Sequence, residues 1–439
     1  MDAASGAQMA SNRERPSILV VASPTPFSGG GLRAHRSLKE YTKHFNTHLF
    51  IPWGLWDNKK ALQESIKYLK ELRRLGVRFA GFSQLPKAIH KSREVLGTRI
   101  LEALAPLMAP SIARLEVGAA DYRAVVVLHE VWDAVYSGIV LAEHFNAPGA
   151  VLLQLPPFYG SRKRLLNILK VVLLWRELIG DTPSEKEMLK IEAVIRSSAE
   201  ERLSRLHYER VLRRYKLVLG VSKAIAVEMG GEWLDKVTCL NPGVSLDEED
   251  LEIMKSIRRR VGEKENYIVF GGRLSVDKGL VEALISLKTI ARLYPNTKLI
   301  LTGRIAPTAK MRIAKICKKL GVEDKVVFTG FVSREKRFEI VAKAKLMLYP
   351  SHVDAFPYAV LEALHLGTPV VGYRIPALEI YYSRCPGVEL VEEGDVEALT
   401  VKAIEIHEKG VKAIEPPKIK NWKDIMNEEI KIIKGIALK

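Results

Sequence analysis

Short, continuous apolar runs alternate with longer amphipathic stretches through both halves of this 439-residue chain, and no other feature constrains its fold as much. In the first half the runs are Ser17 to Ala22, Thr47 to Pro52, Val77 to Phe79, Ala124 to Leu128 and Ala150 to Leu155. In the second they are Tyr267 to Phe270, Lys298 to Thr302, Val326 to Thr329, Lys345 to Tyr349 and Pro369 to Gly372. A run that is apolar at every position and rich in β-branched residues has no face for water, so it fits a strand covered by helices on both sides. Strands alternating with helices build βαβ units and a parallel sheet. The expected fold is α/β, with two doubly wound, Rossmann-like parallel-sheet domains facing across a cleft.

Turn formers at Asn241-Pro242-Gly243 interrupt the pattern and set the expected boundary. The chain then divides into a disordered tail (1–16), a first domain (17–243), a second domain (244–415) and a C-terminal helical segment (416–439). In open α/β sheets ligands sit beyond the carboxyl ends of the strands, so the loops at those ends carry the candidate chemistry.

Composition narrows the class. Apolar residues make up 47% of the chain and charged residues 27%, the balance of a soluble globular protein, and no uninterrupted apolar run is long enough to span a bilayer. Cys239, Cys317 and Cys385 are widely separated and odd in number, which argues against a disulfide framework or a structural zinc site and fits a cytoplasmic protein. The formal charge of +17 attracts anions, whether nucleotides, phosphorylated lipids, acidic membrane surfaces or nucleic acid. No nucleic-acid-binding motif accompanies it. The stretch Tyr159 to Gly180 sets Arg162, Lys163, Arg164 and Lys170 beside a leucine-rich face, a pattern suited to peripheral docking on an anionic membrane.

The densest chemical signal is Phe270-Gly-Gly-Arg-Leu-Ser-Val-Asp-Lys-Gly279, where a strand runs into a glycine-bearing loop with Arg273 and Lys278 five residues apart. Glycines let backbone amides approach an anion, and two cations can clamp a diphosphate. A second element, Asp354-Ala-Phe-Pro-Tyr-Ala-Val-Leu-Glu362, places two carboxylates with seven residues between them, one in a loop and one in the following helix. Carboxylates accept hydrogen bonds from vicinal hydroxyls, as a ribose or a hexose presents them. Neither a DxD-like metal motif nor a His/Cys cluster with ligand spacing is present, so no metal site is expected.

Together these elements resemble the GT-B glycosyltransferases of family 4, the group 1 type. Gly272-Arg273-Leu274 to Lys278-Gly279 is similar to that family's diphosphate loop, and Asp354 to Glu362 to its E-x7-E motif. Leu301-Thr302-Gly303-Arg304 resembles its strand-end glycine motif, and Val326 to Phe331 the segment that meets the base. In the first half Phe27-Ser28-Gly29-Gly30-Gly31-Leu32-Arg33 resembles the N-terminal glycine-rich loop, Val218 to Ser222 the strand before the linker, and Trp422 with its helix the terminal helix that returns to the first domain. The resemblance implies a retaining, metal-independent transfer of a hexosyl group from a UDP- or GDP-sugar to a glycan, lipid-linked or other hydroxyl acceptor. Arg273 and Lys278 would stabilise the leaving diphosphate, Asp354 would hold the sugar, Glu362 the ribose, and Gly303, Phe331, Ala355 and Phe356 would line the donor site.

Three departures stand out. Asp354 replaces the usual glutamate, Pro357 stands where glycine is usual and lacks a backbone donor, and the strand Val151 to Gln154 ends in glutamine where many members have histidine. Gln154 can hydrogen-bond a hydroxyl but cannot act as a base, and His129 and His35 are the local alternatives. A nucleotide-sugar-binding module without turnover, and a starch or glycogen synthase-like enzyme, are the competing readings. The second is weakened by Phe27-Ser28, where those synthases carry a lysine before the glycines.

Overall fold

A computed structural model describes residues 15–26, 28–85 and 114–438, the side chains of 195–204 excepted. Most of the expected tail, and Phe27, lie outside the described residues. The chain forms two compact units. The first comprises 1–160, 198–244 and 420–439, and the second 161–197 and 245–419.

The first unit is built on an eight-stranded sheet in the order β4-β3-β2-β1-β5-β6-β7-β8. Its strands are β1 (Ser17–Val21), β2 (Asn46–Ile51), β3 (Arg78–Gln84), β4 (Arg114–Val117), β5 (Ala124–Val127), β6 (Gly149–Leu153), β7 (Leu217–Gly220) and β8 (Val237–Cys239). Neighbours are parallel except β3 and β4, which pair antiparallel at the edge. The second unit carries a parallel six-stranded sheet, β11-β10-β9-β12-β13-β14. Here β9 is Glu265–Phe270, β10 Lys298–Thr302, β11 Val326–Gly330, β12 Ala344–Tyr349, β13 Val370–Tyr373 and β14 Val388–Val391. All four residues of β5 are buried, as are Ile268, Val269, Leu346, Leu348, Val370 and Val371 in the second sheet. Each valine, leucine or isoleucine among them contributes about 1.5–3 kcal/mol on burial.

Strand order reverses at β1/β5 in the first sheet and at β9/β12 in the second. At such a switch point the loops leave in opposite directions and open a crevice at the carboxyl ends. Of the segments singled out from sequence, the two glycine-bearing loops follow β1 and β9, His129 follows β5 and Asp354 follows β12, while Gln154, Gly303 and Phe331 follow β6, β10 and β11.

The C-terminal helix Trp422–Ala437 joins the first unit. Its Glu429 is fully buried and pairs with Arg33, whose Nε donates to the Gly243 carbonyl at 2.9 Å, and with the Tyr41 hydroxyl. The Arg33 guanidinium lies 5.1 Å above the Trp422 ring. A buried charge persists only when paired and hydrogen-bonded, and each member of this set supplies what another lacks.

The helix Arg162–Ile179, expected within the first domain, groups instead with the second unit. The reason is polar as well as apolar: Arg164 and Asn167 are buried against Glu393, with Asn167 Nδ2 donating to Glu393 Oε2 at 2.7 Å. Arg164 therefore does not belong to the exposed basic face assigned to it from sequence. No helix among the described residues is long and apolar enough to cross a membrane.

Candidate active site

In the second unit β9 leads through Gly271-Gly272 into the turn Val276–Lys278 and the helix Leu280–Leu293. Gly279, between them, has φ +74°, and a Cβ there would lie 1.9 Å from the Pro350 carbonyl oxygen. Only glycine lets the loops after β9 and β12 approach so closely. Lys278 is buried, and its Nζ donates to Asp354 Oδ2 at 2.7 Å. The Tyr349 hydroxyl donates to the same oxygen at 2.5 Å, while the amides of Ala355 and Phe356 donate to Oδ1 at 2.8 and 3.1 Å. Asp354, expected to hold a sugar, thus already accepts four hydrogen bonds from its own unit. Burial, reinforced by that carboxylate, pushes the Tyr349 phenol well above its ordinary range.

Arg273 contrasts with Lys278. Its side chain is 72% exposed and comes only within 3.8 Å of Asp277, leaving the guanidinium available to an anion. The two cations expected to act alike therefore stand in different environments, one fixed and one reaching.

Glu362 lies in the second turn of the helix Tyr358–His365 and is buried. Arg337 grips it through both terminal nitrogens, Nη2 donating to Oε1 at 2.9 Å and Nη1 to Oε2. This planar fork fixes the carboxylate while leaving lone pairs free for hydroxyl donors. Arg337 went unnoticed in the sequence because it ends a charged stretch, Arg334 to Arg337, that reads as a solvated helix face.

Gly303 and Phe331 follow β10 and β11, and the Gly303 amide donates to the Gly330 carbonyl at 3.0 Å. The Phe331 ring is 72% exposed with the Arg304 guanidinium 4.8 Å from its centre. An exposed ring stacked under a cation offers a flat surface to a planar ligand. The side chains of Ala355 and Phe356 are buried, so any contact they make with a ligand is confined to the main chain.

In the first unit Ser28 caps the helix Gly29–Tyr41 by accepting from the Gly31 amide at 3.0 Å. A Cβ on Gly31 would lie 2.6 Å from the Thr25 amide nitrogen, whereas one on Gly29 would meet nothing within 4 Å. Gln154 Nε2 donates to the carbonyls of Gly30 at 3.1 Å and Leu128 at 2.6 Å. His129 is buried and its Nε2 accepts from the Ser23 amide at 3.0 Å. Burial lowers its pKa to about 4, so the ring is neutral. His129, Gln154 and Gly30 thus converge at the β1/β5 switch point. His35 does not join them; it stacks on Tyr68 at 4.1 Å and lies 3.3 Å from Glu71. Glu130 carries no signal in the sequence, yet its Oε2 accepts from the Gln154 backbone amide at 3.1 Å, and burial raises its pKa.

Residues 254–414 match the family described as glycosyl transferases group 1. The matched segment lies wholly within the second unit. An uncharacterized glycosyltransferase of Methanocaldococcus jannaschii is 32% identical over 165 residues, covering 35% of this chain and 41% of that protein. The GDP-mannose:cellobiosyl-diphosphopolyprenol alpha-mannosyltransferase of Xanthomonas oryzae pv. oryzae is 25% identical over 163 residues, 36% of this chain and 43% of that one. The chain thus matches less than half the length of these curated relatives. Anabaena HepE, solved with UDP and glucose, superposes with a TM-score of 0.58 at 15% identity, covering 96% of this chain and 100% of that one. The sucrose-phosphate synthase of Thermosynechococcus elongatus gives 0.59 at 14% identity, with 96% and 99% covered. At that identity the likeness establishes the fold, which is GT-B.

Proposed function

We propose that this protein is a retaining glycosyltransferase that moves a hexosyl group from a nucleoside diphosphate sugar to a hydroxyl acceptor. The observation that carries this reading is the convergence, at the β9/β12 switch point of the segment that matches the group 1 family, of Lys278 paired with Asp354 and of the exposed Arg273 in the same loop. As the glycosidic bond breaks, negative charge builds on the β-phosphate, and a fixed cation with a second able to reach it favours that state without a divalent ion. Glu362, held by Arg337, receives the ribose hydroxyls, and Phe331 with Arg304 faces the base. Asp354 contributes chiefly by holding Lys278, with any contact to the sugar coming from its remaining lone pairs. Acceptor handling belongs to the first unit, where Gln154 and Glu130 offer hydrogen bonds to a hydroxyl and the neutral His129 braces the loop after β1. In the retaining mechanism the departing phosphate takes the acceptor proton, so no protein base is required.

HepE was solved with UDP and glucose, and the Xanthomonas relative acts on a polyprenol-linked acceptor from GDP-mannose; both support a UDP- or GDP-sugar donor, and the second a lipid-linked acceptor. An acceptor of that kind is met at a membrane surface. The helix Arg162–Ile179 exposes Arg162, Lys163, Leu166 and Lys170, and Met188, Ile191 and Val194 are exposed on the next helix at a spacing of three. Incubating the purified protein with UDP-glucose, UDP-N-acetylglucosamine and GDP-mannose, with lipid and glycan extracts and excess EDTA, tests the reading. Transfer with an α-linked product from an α-linked donor is expected. A product of inverted configuration, or a strict requirement for a divalent ion, would refute the mechanism.

A further inference from the structure

His352 follows the Pro350-Ser351 turn after β12 and its side chain is 1% exposed. Its ring is gripped from both sides, with Nε2 at 2.7 Å from Glu282 Oε1 and Nδ1 at 2.8 Å from Glu393 Oε1. An ionised carboxylate only accepts, so a neutral imidazole here would turn a lone pair toward one of them, and the pairing is complete only when both nitrogens carry protons. Burial alone would lower the pKa of His352, but the hydrogen bonds to Glu282 and Glu393 outweigh it and raise it. Glu393 is in turn paired with Arg164, and its pKa is lowered because His352, Arg164 and Asn167 together overcome its burial. Arg164 Nη2 also donates to the His352 carbonyl at 2.5 Å. Tyr373 of β13 also faces the ring, 5.2 Å away, and its phenol is pushed far above its usual range by burial and by the nearby acids Glu282, Asp395 and Glu393. Glu282 and Glu393 against His352 and Arg164 make a buried set that is neutral overall.

These groups come from the elements that carry the proposed donor site. Glu282 is in the first turn of the helix that begins immediately after Lys278-Gly279, and His352 precedes Asp354 by two residues. The His352 amide donates to the Asp277 carbonyl at 2.9 Å, and Lys278 Nζ to the Val353 carbonyl at 2.5 Å. We infer that His352, as an imidazolium between Glu282 and Glu393, is a positioning residue that fixes Lys278 and Asp354 relative to one another, and that Arg164 completes the clamp. This rests on the reading of Lys278 and Asp354 as donor-site residues. A misplacement of about 1 Å at a reacting centre is enough to cost a hundredfold in rate, so a clamp on these two loops acts on turnover without touching substrate.

The clamp is testable without substrate. In protein labelled with 15N-histidine, the His352 signals, identified by their loss in His352→Gln, are expected to show protons on both ring nitrogens at pH 7.5. Residues 351–356 are expected to exchange amide hydrogens about tenfold faster in Glu393→Gln and His352→Gln, with β9 and β12 still protected. Glu393→Asp, which keeps the charge, is expected to restore the doubly protonated ring. A neutral ring in the wild-type protein, or exchange of 351–356 unchanged in both variants, overturns the inference. With a donor that supports turnover, His352→Gln is expected to lower kcat about tenfold or more while donor KM stays within a few-fold. Wild-type kcat in that variant overturns it as well. Absence of turnover by the wild-type protein with every donor would count against the proposed function alone, since the ring protonation and exchange still decide the clamp.

Discussion

Lys278 Nζ donates to Asp354 Oδ2 across 2.7 Å, so the buried cation of the loop after β9 is held by the first acid of the loop after β12. Arg273, in the same loop, has no comparable anchor. The two substitutions should therefore separate stability from catalysis. Arg273→Ala is expected to leave stability within about 0.5 kcal/mol while lowering kcat by roughly 10²–10³. Lys278→Ala should lower kcat similarly and also cost about 3–5 kcal/mol, because a buried partner is removed from Asp354. Urea unfolding together with steady-state rates checks both. Equal stability losses, or near-normal kcat in both variants at saturating donor, would contradict the assigned roles.

Glu362 and Arg337 are joined by two hydrogen bonds, and the proposed ribose contact makes them act as a pair. Glu362→Gln is expected to raise donor KM more than it lowers kcat, since a ribose contact is as strong before the reaction as during it. Arg337→Met should do the same by releasing the carboxylate from its fork. The double variant should show a coupling of about 0.5–3 kcal/mol. Strict additivity in donor affinity would mean the pair does not act together.

Much of this was legible in the sequence, and the gaps have physical causes. Runs such as Ala124 to Val127 and Leu346 to Tyr349 are buried on both faces and admit one reading. The edge strands Arg114–Val117 and Val388–Val391 are half exposed and carry a charged residue each or more, so they lack that signature, and the polar positions Ser83 and Gln84 hid the end of β3. The allegiance of the helix Arg162–Ile179 depends on Arg164 meeting Glu393, a pairing between residues distant in the chain. In the site, Lys278, Asp354 and Glu362 were marked by spacing. Arg337, Tyr349 and His352 were not, because nothing local distinguishes them from surface or core residues.

The glycines after β1 are not equivalent. At Gly31 an added methyl would press on the backbone of Thr25, whereas at Gly29 it would meet open space. Gly31→Ala is expected to destabilise by about 1–3 kcal/mol. Gly29→Ala should be neutral or stabilising by up to about 1 kcal/mol, since it restricts the unfolded chain at a position whose helical backbone alanine tolerates. Thermal unfolding of the two variants distinguishes them; equal effects would contradict the packing at Thr25.

His129 gives the first unit a pH dependence of definite sign. Its pKa in the folded protein is about 4, below the 6.5 of an unperturbed histidine, so the unfolded chain takes up a proton that the native state refuses. Stability from this group is full above about pH 6.5 and is lost as pH falls toward 4, by roughly 3 kcal/mol in all. His129→Gln should be less stable than the parent at pH 8, and the difference should shrink steadily toward pH 4. A difference independent of pH would show that His129 is not buried neutral.

Membrane docking is expected to rest on Arg162, Lys163 and Lys170, with Arg164 excluded because its charge is spent on Glu393. Basic side chains close to an anionic surface contribute roughly 1 kcal/mol each, so replacing these three with glutamine should weaken binding to phosphatidylglycerol vesicles about a hundredfold. Raising salt should have the same direction of effect, since these charges are exposed and screened. The apolar share should come from Leu166, Met188, Ile191 and Val194, whose replacement with serine should weaken binding to anionic vesicles at every salt concentration. Co-sedimentation across a salt series separates the two contributions. Because none of these residues belongs to the Arg164–Glu393–His352 set or to the loops after β9 and β12, donor hydrolysis in solution should be unaffected. If the triple glutamine variant binds anionic vesicles as the parent does, the helix is a packing element of the second unit and not a docking surface.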